Sequence, residues 1–153
     1  MNDLVNVLYV DDEINNLNSF KATYRRDFKV YTANSGPEAL KLIKEVNFQV
    51  IITDQRMPEM TGVEFLIEVL KESPDAIRIL LTGYSDINAV IDAVNKGQIY
   101  YYVNKPWDEQ QLRIIINNAY EIYALREKNK ILMEKLMISN DQMEFLLRQK
   151  LLS

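Results

Sequence analysis

No cysteine and no histidine occur among the 153 residues. Their absence excludes disulfide frameworks, thiol chemistry, Cys- or His-ligated zinc, and every mechanism that needs an imidazole base. An excess of positive charge is also missing. Eighteen basic residues stand against 22 acidic ones, a net charge of −4. The acidity belongs to residues 1–104, with 10 basic and 15 acidic side chains, whereas residues 105–153 carry 8 and 7. Such a balance argues against direct, sequence-independent binding to nucleic acid. No apolar run approaches the roughly 20 residues of a membrane span, and Met1-Asn2-Asp3-Leu4 lacks the basic and apolar regions of a secretory signal. The sequence thus predicts a soluble, cytoplasmic protein without membrane association. Any chemistry must use carboxylates, hydroxyls, lysines or a borrowed metal.

What is present is an alternation. Five apolar runs of strand length, Val5–Val10, Phe28–Thr32, Phe48–Thr53, Ile77–Thr82 and Ile99–Val103, are rich in β-branched and aromatic residues. Between them lie four stripes at helical spacing: Ile14, Leu17, Phe20 and Tyr24; Ala39, Leu42, Ile43 and Val46; Val63, Leu66, Ile67 and Leu70; Ile87, Val90, Ile91 and Val94. Ser35-Gly36-Pro37-Glu38 reads as a helix start and Gly97 as a helix stop. Five strands alternating with helices predict an α/β fold, a doubly wound five-stranded parallel sheet with helices on both faces. Val50-Ile51-Ile52 and Ile79-Leu80-Leu81 are apolar throughout, as central strands require. Ligands of such sheets bind at the carboxyl ends of the strands.

Those ends carry the chemistry. The first run leads into Asp11-Asp12-Glu13, the third into Asp54, the fourth into Thr82-Gly83 and the fifth into Lys105-Pro106. Three aspartates, one hydroxyl and one ammonium should therefore meet on one edge. Clustered carboxylates repel one another, and a hard divalent cation relieves the repulsion. Mg²⁺ suits this set, because it takes oxygen ligands and usually one or two carboxylates besides water and phosphate oxygens. A carboxylate is also a competent nucleophile for acyl phosphate formation, and Lys105 can contact a phosphate. The set suits phosphoryl transfer to an aspartate.

The strings YVDDE, TDQRMPEMTG, LLTGY and YYVNKPW, in that order, resemble the receiver domain of bacterial two-component response regulators. The resemblance covers residues 4 to about 118. It implies a (βα)5, flavodoxin-like fold with strand order 2-1-3-4-5. It implies Asp54 as phosphoacceptor, with Asp11 and Asp12 beside it as the Mg²⁺-binding pair and the backbone carbonyl of Arg56 as a further metal ligand. Thr82 would be the switch hydroxyl, Lys105 the phosphate-contacting lysine and Tyr102 the switch aromatic, with a cis bond before Pro106. The implied partner is a sensor histidine kinase or phosphotransfer protein. The implied role is signal transduction through a face built from the fourth helix, the fifth strand and the fifth helix. A receiver promotes only its own phosphorylation and dephosphorylation and is not otherwise an enzyme. Arg56 and Tyr84, two residues beyond Asp54 and Thr82, are bulky and predict a long-lived phosphorylated state.

Two other readings compete. A phosphorylation-independent adaptor on the same scaffold would not need the acidic set or Lys105. An aspartate-nucleophile phosphatase would want a second Asp two residues after the first, where Arg56 stands.

The receiver is assigned to residues 1–120 and a helical extension to 121–153. No Gly or Pro follows Pro106. A heptad places Ile115, Ile122, Asn129, Leu136 and Met143 at a, with Asn118, Leu125, Leu132, Ser139 and Leu146 at d. Six of the eight positions from 122 to 146 are apolar, which favours a coiled coil leading to an output module or a dimer partner. Asn129 at a favours a parallel homodimer. Apolar residues off the seam, such as Ile131, Ile138 and Phe145, suit a helix packed on its own domain or a wider bundle, and Ser139-Asn140-Asp141 is a candidate helix break. The output itself is not written in the sequence.

Overall fold

The computed structural model describes residues 4–152, without the side chain of Tyr84. Five strands, β1 (Asn6–Val10), β2 (Lys29–Ala33), β3 (Val50–Asp54), β4 (Ile77–Thr82) and β5 (Tyr101–Asn104), form one parallel sheet in the order β2-β1-β3-β4-β5. Five helices connect or follow them: α1 (Ile14–Tyr24), α2 (Gly36–Glu45), α3 (Gly62–Glu72), α4 (Ile87–Asn95) and α5 (Glu109–Leu152). The doubly wound architecture and its strand order are those expected. Strand limits shift by one or two residues. Phe48 and Ile99 are buried as expected but precede the ladders, because packing on the core does not require pairing in the sheet.

Every residue of β3 and β4 is buried. Their side chains alternate between two cores. One core, with Val7, Tyr9, Ile52 and Ile79, is covered by Leu17, Phe20 and Tyr24 of α1 and by Leu112, Ile116 and Ala119 of α5. The other, with Leu8, Ile51 and Leu80, is covered by Ala39 of α2, Phe65, Leu66 and Val69 of α3, and Val90 and Ala93 of α4. Three expected stripes are therefore corrected. Ile14 opens α1 but is exposed. The buried face of α3 centres on Phe65, Leu66 and Val69 instead of Val63 and Ile67. Ile91 is exposed, while Val90 and Ala93 form the buried face of α4.

Local signals act where the sequence places them. The Ser35 hydroxyl accepts from the Glu38 backbone N–H at 3.3 Å and Pro37 lies in the first turn. Gly97 ends α4 with φ 72°, the left-handed region that glycine enters without strain. Arg78 is buried in β4 without a carboxylate partner among the described residues. Its guanidinium donates to the carbonyls of Pro74, Ala76, Gly97 and Gln98, which ties the loops entering β4 and β5 together.

The start of α5 is fixed to α1. The Tyr24 hydroxyl donates to the Glu109 carbonyl at 2.9 Å, and Arg113 pairs with Asp27 and Glu109 while lying over the Tyr24 ring. Burial pushes the Tyr24 hydroxyl up to about 12, against the pull of Arg113. From there α5 runs 44 residues without interruption, about 66 Å at 1.5 Å per residue. The expected break at Ser139-Asn140-Asp141 does not occur. These residues cost only some tenths of a kcal/mol each in a helix, and strong helix formers flank them. Ile122 and Tyr123 still pack on the domain, and Lys130 pairs with Asp75. Beyond it both the heptad seam (Leu132, Leu136, Met143, Leu146) and the off-seam residues are exposed. No described helix is long and apolar enough to cross a membrane.

Candidate functional site

Parallel strands deliver their C-terminal residues to one edge, so the sheet itself assembles the site. Asp54 is the last residue of β3, Thr82 the last of β4, Asp11 follows β1, and Lys105 follows β5. Asp54, Asp11 and Thr82 are all buried. Two observations give this burial a purpose. The Lys105 ammonium forms an ion pair with Asp54 Oδ1. Carboxylate oxygens of Asp11, Asp12 and Asp54 lie within 4.8 Å of one another, a set of hard oxygen donors that fits Mg²⁺ in number and charge.

Burial pushes the Asp54 carboxyl upward, and the Lys105 ammonium opposes the shift through its hydrogen bond and charge. A buried carboxylate beside two more and one ammonium is short of positive charge. The pocket is thus arranged to receive a cation.

Asp11 is held by side chains that the motif did not single out. The Tyr9 hydroxyl donates to Asp11 Oδ2 at 2.7 Å, and Asn16 Nδ2 donates to the same oxygen at 3.1 Å. The Glu13 backbone N–H donates to Asp11 Oδ1 at 3.0 Å. Burial first, then Asp11, drives the Tyr9 hydroxyl far above its ordinary value, so it remains a donor. Tyr9 was legible in principle, since residues i and i+2 of a strand share a face.

A second unrecognised residue is Gly62, at the start of α3. A β-carbon there would stand 2.4 Å from the Asp54 carbonyl oxygen and 2.7 Å from Leu80 Cδ1. The loop between β3 and α3 is closed back on itself by bonds from Gly62 N–H to the Gln55 carbonyl and from Val63 N–H to Gln55 Oε1, both 2.9 Å. Thr61 and Glu64 form a capping box at the entry to α3.

The remaining expected residues take distinct places. The Thr82 hydroxyl donates to the Gly83 carbonyl at 3.1 Å. The Lys105–Pro106 bond is cis. Of the three consecutive tyrosines, Tyr102 is half-buried against the core that holds Leu80 and Val90, while Tyr100 and Tyr101 are exposed. The Arg56 side chain lines the same cleft as Asp54 and Lys105. It reaches across to Asp86 and Ser85, ahead of α4. The tuning expected of Tyr84 concerns a side chain outside the described ones.

Residues 7–117 match the family model described as the response regulator receiver domain. The hydrogenase transcriptional regulatory protein HoxA of Cupriavidus necator is 40% identical over 120 residues, covering 78% of this chain and 25% of its own length. The regulatory protein AtoC of Escherichia coli K12 is 30% identical over 134 residues, 87% of this chain and 29% of its own. The chain therefore spans between a quarter and a third of these relatives. Among solved structures, one described as adenylate cyclase from Rhodopirellula baltica superposes with a TM-score of 0.83 at 37% identity, over 85% of this chain and 97% of that one. A response regulator receiver domain from Clostridium thermocellum superposes with a TM-score of 0.76 at 36% identity, over 80% of this chain and 98% of its own.

Proposed function

Because this chain belongs to the response regulator receiver family, we propose that it is a phosphorylation-switched receiver in which Asp54 accepts the phosphoryl group. The observation that carries the reading is the buried Asp54 carboxylate, paired with Lys105 and grouped with Asp11 and Asp12. The donor is a phosphohistidine of a sensor histidine kinase or phosphotransfer protein, or a small acyl phosphate. A carboxylate oxygen of Asp54 forms the new P–O bond in line, and the bond to the donor's nitrogen or leaving oxygen breaks with its electron pair. Lys105 offsets charge on the equatorial oxygens. Asp11, Asp12, Asp54 and the Arg56 carbonyl would hold Mg²⁺, which when bound neutralises phosphoryl and carboxylate charge. Tyr9 and Asn16 keep Asp11 aimed at that position.

The product adds roughly two negative charges. Thr82 turns its hydroxyl from the Gly83 carbonyl toward the new oxygens, and Tyr102 moves into the space this leaves. The face of α4, β5 and the start of α5 thereby changes state. The adaptor reading gives no reason to bury Asp54 against a lysine. Calorimetric titration with Mg²⁺ tests the site. Asp12→Ala is expected to weaken binding at least tenfold, and an unchanged affinity would remove Asp12 from the set.

The segment from residue 121 onward is proposed to carry the signal out of the receiver, toward an output module or a dimer partner. A parallel pairing of two copies through the heptad seam would set Asn129 against its equivalent and Glu121 opposite Arg126 of the other copy, an attractive flanking pair. Light scattering is expected to give about twice the 17.9 kDa chain mass, with a return to one chain mass in Leu132→Glu/Leu136→Glu. A parent that stays at one chain mass at every concentration would refute the pairing. HoxA is named a hydrogenase transcriptional regulatory protein, and ZraR of Escherichia coli K12 a transcriptional regulatory protein, so a transcriptional output is the class these names suggest.

A further inference from the structure

The Arg56 side chain stands at an odd place for a residue two positions from the proposed phosphoacceptor. Its Nε is 3.2 Å from Asp86 Oδ2 and its Nη2 donates to the Ser85 hydroxyl. Asp54, Lys105, Arg56, Gly83, Ser85 and Asp86 all line one cleft of about 260 Å³. The Arg56–Asp86 pair thus closes one side of the cavity in which the phosphoryl group would form.

Asp86 has a second position to fill. It stands immediately before α4, where a helix start leaves backbone N–H groups without intrahelical partners. Aspartate is among the best residues there, yet its side chain makes no capping bond, and the first turn of α4 contains no acidic residue. Its backbone, at φ −106° and ψ 10°, also lacks the extended conformation of a capping residue. The carboxylate is turned to Arg56 instead. Among the described residues Arg56 is its only ion-pair partner.

We propose that a phosphoryl group on Asp54 takes the Arg56 guanidinium from Asp86, and that the freed Asp86 carboxylate then caps α4. The inference rests on the phosphoacceptor reading given above. Three physical points favour the exchange. The side chains of Arg56 and Asp86 are 72% and 23% exposed, and a pair so open to solvent holds weakly. The competitor carries about twice the charge of a carboxylate. Its oxygens match the planar fork of arginine for bidentate bonding. Capping needs Asp86 to swing its ψ toward extended values, which unwinds the short 3-10 turn over Tyr84–Asp86. Phosphorylation would therefore move the β4–α4 connection through a transfer of one cation between two anions, besides the pull on Thr82.

The test is hydrogen exchange over residues 84–92 of the full chain, with Mg²⁺ and acetyl phosphate, the phosphoryl load measured by intact mass in the same samples. In the parent, phosphorylation is expected to slow exchange in the first turn of α4 about fivefold, the usual worth of a helix cap. Asp86→Ala is expected to gain the phosphoryl group without that slowing. In Arg56→Ala, Asp86 is free from the start, so exchange is slow already and phosphorylation adds little. Parent-like slowing in Asp86→Ala, or the full parent change in Arg56→Ala, overturns the relay while leaving Asp54 as acceptor. A parent that gains no phosphoryl group overturns the acceptor reading and the relay with it.

Discussion

Gly62→Ala is expected to destabilise the protein by about 3 kcal/mol, the upper part of the usual range for overpacking, and to displace Asp54. The added methyl would meet the Asp54 carbonyl oxygen at 2.4 Å and Leu80 Cδ1 at 2.7 Å. Neither can yield easily. The carbonyl belongs to the last residue of β3, held by pairing with β4, and Leu80 is fully buried in the core between the sheet and α3. The strain would appear both as a lower urea midpoint and as slower phosphoryl transfer at saturating Mg²⁺. Gly36→Ala is the matched comparison. There the close atoms all belong to Met60, Sδ at 2.6 Å and Cβ and Cγ at 3.2 Å. The sulfur is on the flexible part of the side chain and can turn away, so the loss should be smaller. Equal losses in the two variants would mean that Gly62 is not a point of enforced close approach.

The second large effect is expected at Lys105. Lys105→Met keeps most of the side-chain volume and removes the charge. Its loss should slow phosphorylation of Asp54 by acetyl phosphate by about 10²- to 10³-fold, the usual consequence of deleting one charge-stabilising donor at a reacting group. Two causes act together. The equatorial oxygens lose a cation, and Asp54 loses the group that opposes the upward pull of burial on its carboxyl. Less of the carboxylate is then ionised to attack. The second cause shows in the pH profile. Raising the pH should restore part of the rate in Lys105→Met and little in the parent. Stopped reactions read by intact mass give both numbers. A rate within threefold of the parent would assign Lys105 a structural role only.

How much of this was legible in the sequence depends on what sort of contact each residue makes. The four strand ends could be read because a parallel sheet collects them at one edge whatever the details of packing. Burial of β3 and β4 follows from their unbroken apolar runs, whereas the strand order is implied only by the resemblance to receiver domains. Gly62 could not be recognised from spacing, because what matters there is the approach of a backbone carbonyl from another element. The partners of the Arg56 side chain are hidden from the sequence for a related reason. Spacing places Arg56 beside Asp54, with which it shares a cleft, but it carries no sign of the partners Ser85 and Asp86, about 30 residues further on. Among three tyrosines, spacing from Lys105 singles out Tyr102, which pairs with Leu80 in the sheet. The uninterrupted α5 shows a limit of local propensity. Three mediocre helix formers in a row do not end a helix that neither glycine nor proline stops.

The central claim, that this receiver works by accepting a phosphoryl group on Asp54, is tested most directly by intact mass after incubation with Mg²⁺ and acetyl phosphate, beside an Asp54→Asn variant and a sample containing chelator. The account predicts the gain of one phosphoryl group by the parent with Mg²⁺ and none by Asp54→Asn or by the chelated sample. An equal gain in Asp54→Asn, or no gain in the parent under conditions that label an ordinary receiver, would contradict it.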